Sequence, residues 1–130
     1  MGEHPIDWWV SGQQVIALSS GEAEFYAAGR VAAALLFLVY LCHETGGWAA
    51  ELKGKLFSDS SACRGILART GPGRIKHLQT RFLWIQERVR AGELTVARVL
   101  TEENGADLGT KVLDEKRVAK LRRICKILPT

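Results

Sequence analysis

The sequence is poor in cysteine and has no segment typical of a secretory leader. Its 130 residues include three cysteines, an odd number, and none of them forms a CxxC pair. Neither a disulfide framework nor a zinc ribbon is therefore expected, and a reducing compartment fits best. The first ten residues carry two acidic side chains and a proline instead of a basic start and an apolar run. We expect an intracellular, non-secreted protein, cytoplasmic or nuclear.

Long apolar runs are also scarce. The run at residues 31–42 is twelve residues long, whereas a membrane-spanning helix needs about 20. Arg30 precedes this run, and His43 and Glu44 follow it. We therefore expect a buried core helix and no membrane partner, with a spanning helix as the minor alternative.

Repeats, low-complexity tracts and linkers are absent from the sequence. Hydrophobic residues make up 47% and charged residues 25% of the chain, which excludes a disordered polypeptide. The length is that of one ordinary domain that can bury a core without disulfides or metal. We expect a single domain over residues 1–130 that closes with a basic helix at about residues 114–128.

The net charge of +4 is unevenly distributed. Residues 64–90 hold seven basic side chains against one acidic, and residues 111–130 hold seven against two. The two remaining segments, residues 1–63 and 91–110, are net acidic. This alternation suggests surfaces that face a polyanion beside a carboxylate-bearing site. A solvated surface with scattered arginines is the alternative.

The hydrophobic pattern predicts strands that alternate with helices, which favours an α/β layer fold. Ser19 and Glu22 form a capping box that starts a long helix, and Gly46 and Gly47 end it. In chain order we expect a strand at 8–18, a helix to about residue 44, a strand at 52–57, a helix at 60–69, a helix carrying Leu78, Phe82, Ile85 and Val89, a strand at 93–101, a turn near Ala106 and the terminal helix.

Three acidic residues stand where an element changes. Asp59 follows the second strand, Glu24 lies early in the long helix, and Asp107 begins the element after the third strand. Carboxylates at strand ends are suitable ligands for Mg²⁺, which prefers oxygen and uses one or two protein carboxylates per ion. Acidic residues at such places are more often caps or solvated charges, so spacing alone leaves both interpretations open.

Four segments in this order resemble the ribonuclease H domain of copia-type retrotransposon polyproteins. They are ALSSGEAEFYAA, FSDSSACRGILA, RIKHLQTRFLWIQERV and NGADLGTK, and the resemblance covers residues 5–115. It implies a ribonuclease H-like fold, a mixed β-sheet flanked by α-helices. It also implies Mg²⁺-dependent hydrolysis of the RNA strand of RNA–DNA hybrids during reverse transcription, with the reverse transcriptase part of the parent polyprotein as a partner.

The resemblance assigns the catalytic and metal-binding roles to Glu24, Asp59 and Asp107, in a site for two Mg²⁺ ions. Glu22 and Glu24 are about 200° apart around a helix. Because Glu22 already belongs to the capping box, Glu24 is the residue left to face a metal.

The basic segments supply the candidate nucleic-acid contacts, which are Arg74, Lys76, His77, Arg81 and Lys111. His77 lies in a motif typical of copia-type elements. A structural histidine is an equal alternative.

The sequence also departs from the family. There, two leading strands come first, and the first of them carries another catalytic aspartate. Here the matching region begins only a few residues from Met1, and Asp7 is in the wrong place to replace that aspartate. We therefore expect an amino-terminally truncated domain without the first two strands and with impaired cleavage. A non-catalytic nucleic-acid-binding remnant of the polyprotein is the alternative.

Overall fold

A computed structural model describes residues 5–13, 16–46, 52–74 and 80–127. Its residues group into two compact units. The first unit is Gln13–Arg98, and the second combines Val99–Thr130 with Met1–Gly12.

The first unit begins with helix α1 (Ser20–Gly46), whose start is fixed by a capping box. The backbone N–H of Glu22 donates to Ser19 Oγ at 3.1 Å, and Glu22 Oε2 accepts from the N–H of Leu18 at 3.0 Å. The predicted capping box is thus confirmed. The Glu22 carboxylate binds the N–H of Leu18, the residue before the cap, instead of the N–H of Ser19 itself. The helix ends at Gly46, as the sequence predicts.

Helix α1 buries one face and exposes another. Phe25, Ala28, Ala32, Leu36 and Val39 recur every three or four residues and are buried, which is the spacing of one helical face. The helix is also long and apolar enough to cross a membrane by length and composition, although core helices of soluble proteins meet the same criteria. The packing of its buried face shows that α1 covers the core.

Strands β1 (Gly54–Ser58) and β2 (Leu94–Arg98) form a parallel two-stranded sheet in the described part of the chain. The register pairs Gly54 with Leu94 and Ser58 with Arg98. Leu56 and Leu94 point into the core, whereas Phe57 is exposed on the other face. Gly54 permits close packing because a Cβ there would lie 2.6 Å from a methyl carbon of Leu94.

The connection between the strands contains helix α2 (Ser61–Ala68), a 3₁₀ turn at Thr80–Phe82 and helix α3 (Trp84–Arg90). Parallel strands require such a crossover. The buried side chain of Gln86 joins its parts: Nε2 donates to the carbonyl of Ile66 at 2.7 Å, and Oε1 accepts from the N–H of Gly71 at 2.7 Å. The loop after α2 is thereby fixed to α3.

In the second unit, a 3₁₀ turn (Thr101–Glu103) precedes helices α4 (Asp107–Thr110) and α5 (Glu115–Ile124). Asp114 caps α5 by accepting from the N–H of Arg117 at 2.7 Å. Leu121 is the buried residue of α5. The predicted terminal helix is confirmed from its cap to Ile124.

Two predictions about elements were wrong. Residues 8–13 and 16–18 form neither helix nor strand, and Trp8 is 76% exposed. An apolar, β-branched sequence is not sufficient for a strand, because its backbone groups need a partner strand. The helix expected through Phe82 and Ile85 is divided at Leu83, where the 3₁₀ turn passes into α3. Leu78 lies outside the described residues.

Mixed α/β architecture is therefore observed, with a small parallel sheet and helices. This is compatible with a ribonuclease H-like arrangement. Strand β1 lies directly beside β2, and both end on the same edge of the sheet because they are parallel.

Candidate carboxylate site

The chain turns sharply where β1 ends, and hydrogen bonds within the turn hold Asp59 there. The N–H of Ser60 donates to Ser58 Oγ at 3.2 Å, and Ser60 Oγ accepts from the N–H of Cys63 at 3.1 Å. Ser60 is therefore the N-cap of α2. Asp59, between these two serines, is half-buried at the carboxyl end of the strand.

Helix α1, which carries Glu24, lies beside this turn, because its first turn packs tightly on α2. A Cβ at Gly21 would lie only 2.6 Å from the Cβ of Ala62, so glycine permits the close approach of the two helices. Glu24 is exposed one turn further along α1.

The charges of both carboxylates affect the thiol of Cys63. Burial is the main cause that raises the pKa of Cys63 to about 11, and the charges of Glu24 and Asp59 raise it further. A hydrogen bond with Ser58 and the charge of Arg64 act in the opposite direction. The charges of Glu24 and Asp59 therefore both act on one buried thiol in the first turn of α2.

Arg64 adds a positive charge to this group. Its Nη1 donates to the carbonyl oxygen of Ser58 at 2.7 Å, which draws the guanidinium back from α2 to the end of β1. Sequence reasoning missed Arg64 and Cys63 as neighbours of the carboxylates. The serine cap at residue 60 is the signal that places both in the first turn of α2.

Glu22 and Glu24 have different environments, as the helical geometry predicts. Glu22 is 1% exposed, and its Oε1 accepts a 2.5 Å hydrogen bond from the hydroxyl of Tyr26. Its second oxygen holds the N–H of Leu18. Glu22 therefore has a structural role, and Glu24 is the residue of the pair with an exposed side chain.

Asp107 lies in the second unit and is 2% exposed. Its Oδ1 is 2.9 Å from Lys111 Nζ, and its Oδ2 is 3.1 Å from Arg117 Nη2. Arg117 also donates to the carbonyl of Thr101 at 2.6 Å. Asp107 is thus neutralised by two cations and ties α4 to α5. The i, i+4 spacing of Asp107 and Lys111 is a sequence signal for the first ion pair, but nothing in the pattern reveals the second.

The three candidate carboxylates differ in how well they fit Mg²⁺. Glu24 is exposed and Asp59 is half-buried, and both bring carboxylate oxygens, the ligand type that this cation prefers. Asp107 does not fit in the observed arrangement, because each of its oxygens has a cationic partner. Within each unit, the described residues contain no group of three or more His, Cys, Asp or Glu side chains positioned to hold a metal ion.

The candidate nucleic-acid contacts are only partly visible. Arg74 is exposed at the end of a loop that Gln86 fixes to α3. Lys111 pairs with Asp107, so part of its charge is neutralised. Lys76 and His77 lie outside the described residues, as does the side chain of Arg81.

The structure thus defines a mixed α/β chain with Asp59 at the carboxyl end of a parallel strand and Glu24 exposed on the first helix. The chain is 31% identical over 124 residues, 95% of its length, to the retrovirus-related Pol polyprotein from transposon TNT 1-94 of Nicotiana tabacum. It is 28% and 27% identical over 87% of its length to the corresponding polyproteins from transposons RE2 and RE1 of Arabidopsis thaliana.

Homologues of this chain are therefore plant retrotransposon Pol polyproteins, and the homology supports a retrotransposon origin. The chain spans only 8–9% of the length of these relatives. No family model and no solved structure matches it.

Proposed function

We propose that the chain is a ribonuclease H-type domain of a retrotransposon Pol polyprotein. Its lineage reaction is Mg²⁺-dependent hydrolysis of the RNA strand of RNA–DNA hybrids. The observation that supports this proposal is the position of Asp59 at the carboxyl end of β1, beside a buried thiol, Cys63, that also feels the charge of Glu24. Ligand sites in α/β sheets favour this edge.

In this proposal, Glu24 and Asp59 hold the cation. Magnesium, when bound, supplies charge stabilisation for hydrolysis of a phosphodiester. The serine turn and Arg64 hold the strand end in place, since Arg64 fixes the Ser58 carbonyl. The high pKa of Cys63 keeps the thiol protonated near neutral pH, so the wall of the site adds no further negative charge.

Asp107 enters the proposal in a different way. It contributes an oxygen to a metal only after Lys111 or Arg117 has left it, because each holds one carboxylate oxygen. The first aspartate of the family pattern has no counterpart among the three carboxylates assigned here. We therefore expect the 130 residues by themselves to cleave a hybrid slowly or not at all.

A second candidate function is binding of nucleic acid without cleavage. The ion pairs of Asp107 favour binding without cleavage, because they leave only Glu24 and Asp59 to hold the metal. The exposed Arg74 and the basic segments supply phosphate contacts. Such binding weakens steeply with salt and does not by itself distinguish RNA from DNA.

A cleavage assay separates the two functions. Labelled RNA–DNA hybrid and duplex DNA are incubated with Mg²⁺ and the chain, alone and fused behind the leading hairpin that the family pattern contains. The ribonuclease proposal predicts cutting of the RNA strand that rises on fusion, together with preference for the hybrid. Equal affinity for both duplexes without cutting by either protein would support the binding function instead.

A further inference from the structure

The outward face of α1 has the spacing of a helix–helix seam. Val31, Ala34, Leu38 and Leu41 follow one another at intervals of three, four and three residues, which is the repeat of a and d positions in a coiled coil. Val31 and Leu41 are exposed, and Ala34 and Leu38 are partly exposed. The core uses the opposite face of the same helix. This row of four residues is called the α1 seam below.

The neighbouring residues strengthen the pattern. Phe37 flanks the α1 seam and is 65% exposed, an unusual position for a phenylalanine. Arg30 and Glu44, both exposed, lie seven residues before and after Phe37. All three therefore occupy the same flanking position of the repeat, with opposite charges at its two ends.

We propose that a second copy of this chain docks on the α1 seam in antiparallel orientation. In an antiparallel pair, like flanking positions of the two helices face each other, so Arg30 of one copy meets Glu44 of the other, twice by symmetry. Phe37 then meets Phe37 of the second copy. In a parallel pair, Arg30 and Glu44 stay at opposite ends, about 21 Å apart, and lose this complementarity.

The same alignment matches side-chain sizes along the α1 seam. With Phe37 facing its own copy, Leu38 of one helix lies opposite Ala34 of the other, and Val31 lies opposite Leu41. Each larger side chain therefore faces a smaller one, which is how facing positions interdigitate without voids. Ala34, the smallest member of the α1 seam, leaves room for Leu38 of the second copy.

The length of the seam favours a protein partner over a bilayer. From Val31 to Leu41 the helix rises about 15 Å, whereas the hydrocarbon core of a membrane is about 30 Å thick. Charged side chains stand at both ends of the stretch, at Arg30 and Glu44. A self-complementary patch of this kind is what a two-fold symmetric dimer needs.

Sedimentation velocity of the full chain over a concentration series tests the proposal. The buffer contains a reductant, because Cys42 is partly exposed beside the seam and must not form a disulfide. We expect a monomer–dimer equilibrium that Leu38→Glu abolishes. Far-UV circular dichroism and the thermal transition of this variant must match the parent, which separates lost docking from lost folding.

Charge reversal tests the orientation. Arg30→Glu or Glu44→Arg alone turns both symmetry-related contacts into pairs of like charge. Each variant should raise the dissociation constant of the dimer about three- to tenfold, as expected for two exposed pairs. The double variant restores complementarity and recovers the parental dissociation constant. Additive weakening in the double variant overturns the antiparallel arrangement.

Two other outcomes overturn the proposal itself. One is a monomer throughout the concentration series, or a dimer that Leu38→Glu leaves intact. The other is a monomer that floats with phosphatidylcholine vesicles in a manner abolished by Leu38→Glu, since the seam would then be a lipid-facing surface.

Discussion

The hydroxyl of Tyr26 donates a 2.5 Å hydrogen bond to Oε1 of Glu22, a carboxylate that is almost completely buried. The same carboxylate holds the N–H of Leu18, so it anchors the first turns of α1 to the segment that enters the helix. This arrangement gives Glu22 a structural role, whereas the side chain of Glu24, two residues along the chain, is exposed.

Tyr26→Phe is expected to destabilise the protein. It leaves Glu22 Oε1 buried without this donor, at a cost of about 1–3 kcal/mol. Tyr40→Phe is the matched control, because its hydroxyl donates to Glu93 at an exposed site, where water replaces the lost hydrogen bond and we expect little destabilisation. Urea unfolding of both variants measures the difference. Equal destabilisation by the two substitutions would contradict the role assigned to Glu22.

Gly21→Ala is expected to push α1 away from α2. The added methyl would overlap the Cβ of Ala62, and such overpacking costs about 1–3 kcal/mol. Gly65→Ala in α2 serves as the control, since a Cβ there meets nothing within 4 Å and alanine favours a helix by about 1 kcal/mol. Thermal unfolding should move in opposite directions for the two variants, and a shift of both in the same direction would refute the packing argument.

Titration of Cys63 tests whether the charges of Glu24 and Asp59 both act on its thiol. Its pKa is raised to about 11 mainly by burial and then by the two carboxylate charges. Glu24→Gln and Asp59→Asn should therefore each lower this pKa, because each removes a negative charge that opposes the thiolate. The Cβ chemical shift of Cys63 over a pH series gives the value. Glu44→Gln, twenty residues beyond Glu24 on the same helix and therefore about 30 Å away, should leave it unchanged.

The raised pKa of Cys63 also makes the stability of the protein depend on pH. Because the folded-state pKa of Cys63 is above its ordinary value of 9.0, its contribution to stability is complete below about pH 9 and is lost as pH rises towards 11. A Cys63→Ala variant should show a weaker decline of stability in this window. An identical decline would show that the thiol does not titrate as assigned.

Local signals in the sequence predict much of the fold. The Ser19–Glu22 cap, the glycine at residue 46 and the apolar spacing of α2 and α5 depend on neighbouring residues, and each is found in the structure. The strand expected at residues 8–18 is not found at 8–13 or 16–18, because strand formation depends on a partner that local sequence does not specify.

In the candidate site, too, features set by neighbouring residues are predictable from the sequence, and features set by distant partners are not. Glu24 could be separated from Glu22 because the angle between residues on a helix is fixed. The pairing of Asp107 with Arg117, ten residues away, depends on how α4 and α5 pack, which no short pattern encodes. The neighbours of Asp59 likewise follow from the packing of α1 on α2 at Gly21.

The most direct test of the carboxylate site is the Mg²⁺-dependent cleavage of a labelled RNA–DNA hybrid by the chain fused behind the family's leading hairpin. Single variants Glu24→Gln and Asp59→Asn are compared with Glu102→Gln, an exposed residue outside the site. We predict that either site variant lowers the rate at least about a hundredfold, as loss of a positioned catalytic group typically does, while Glu102→Gln matches the parent. Parental cleavage by Glu24→Gln or Asp59→Asn, or no cleavage by the parent fusion, would contradict the assignment.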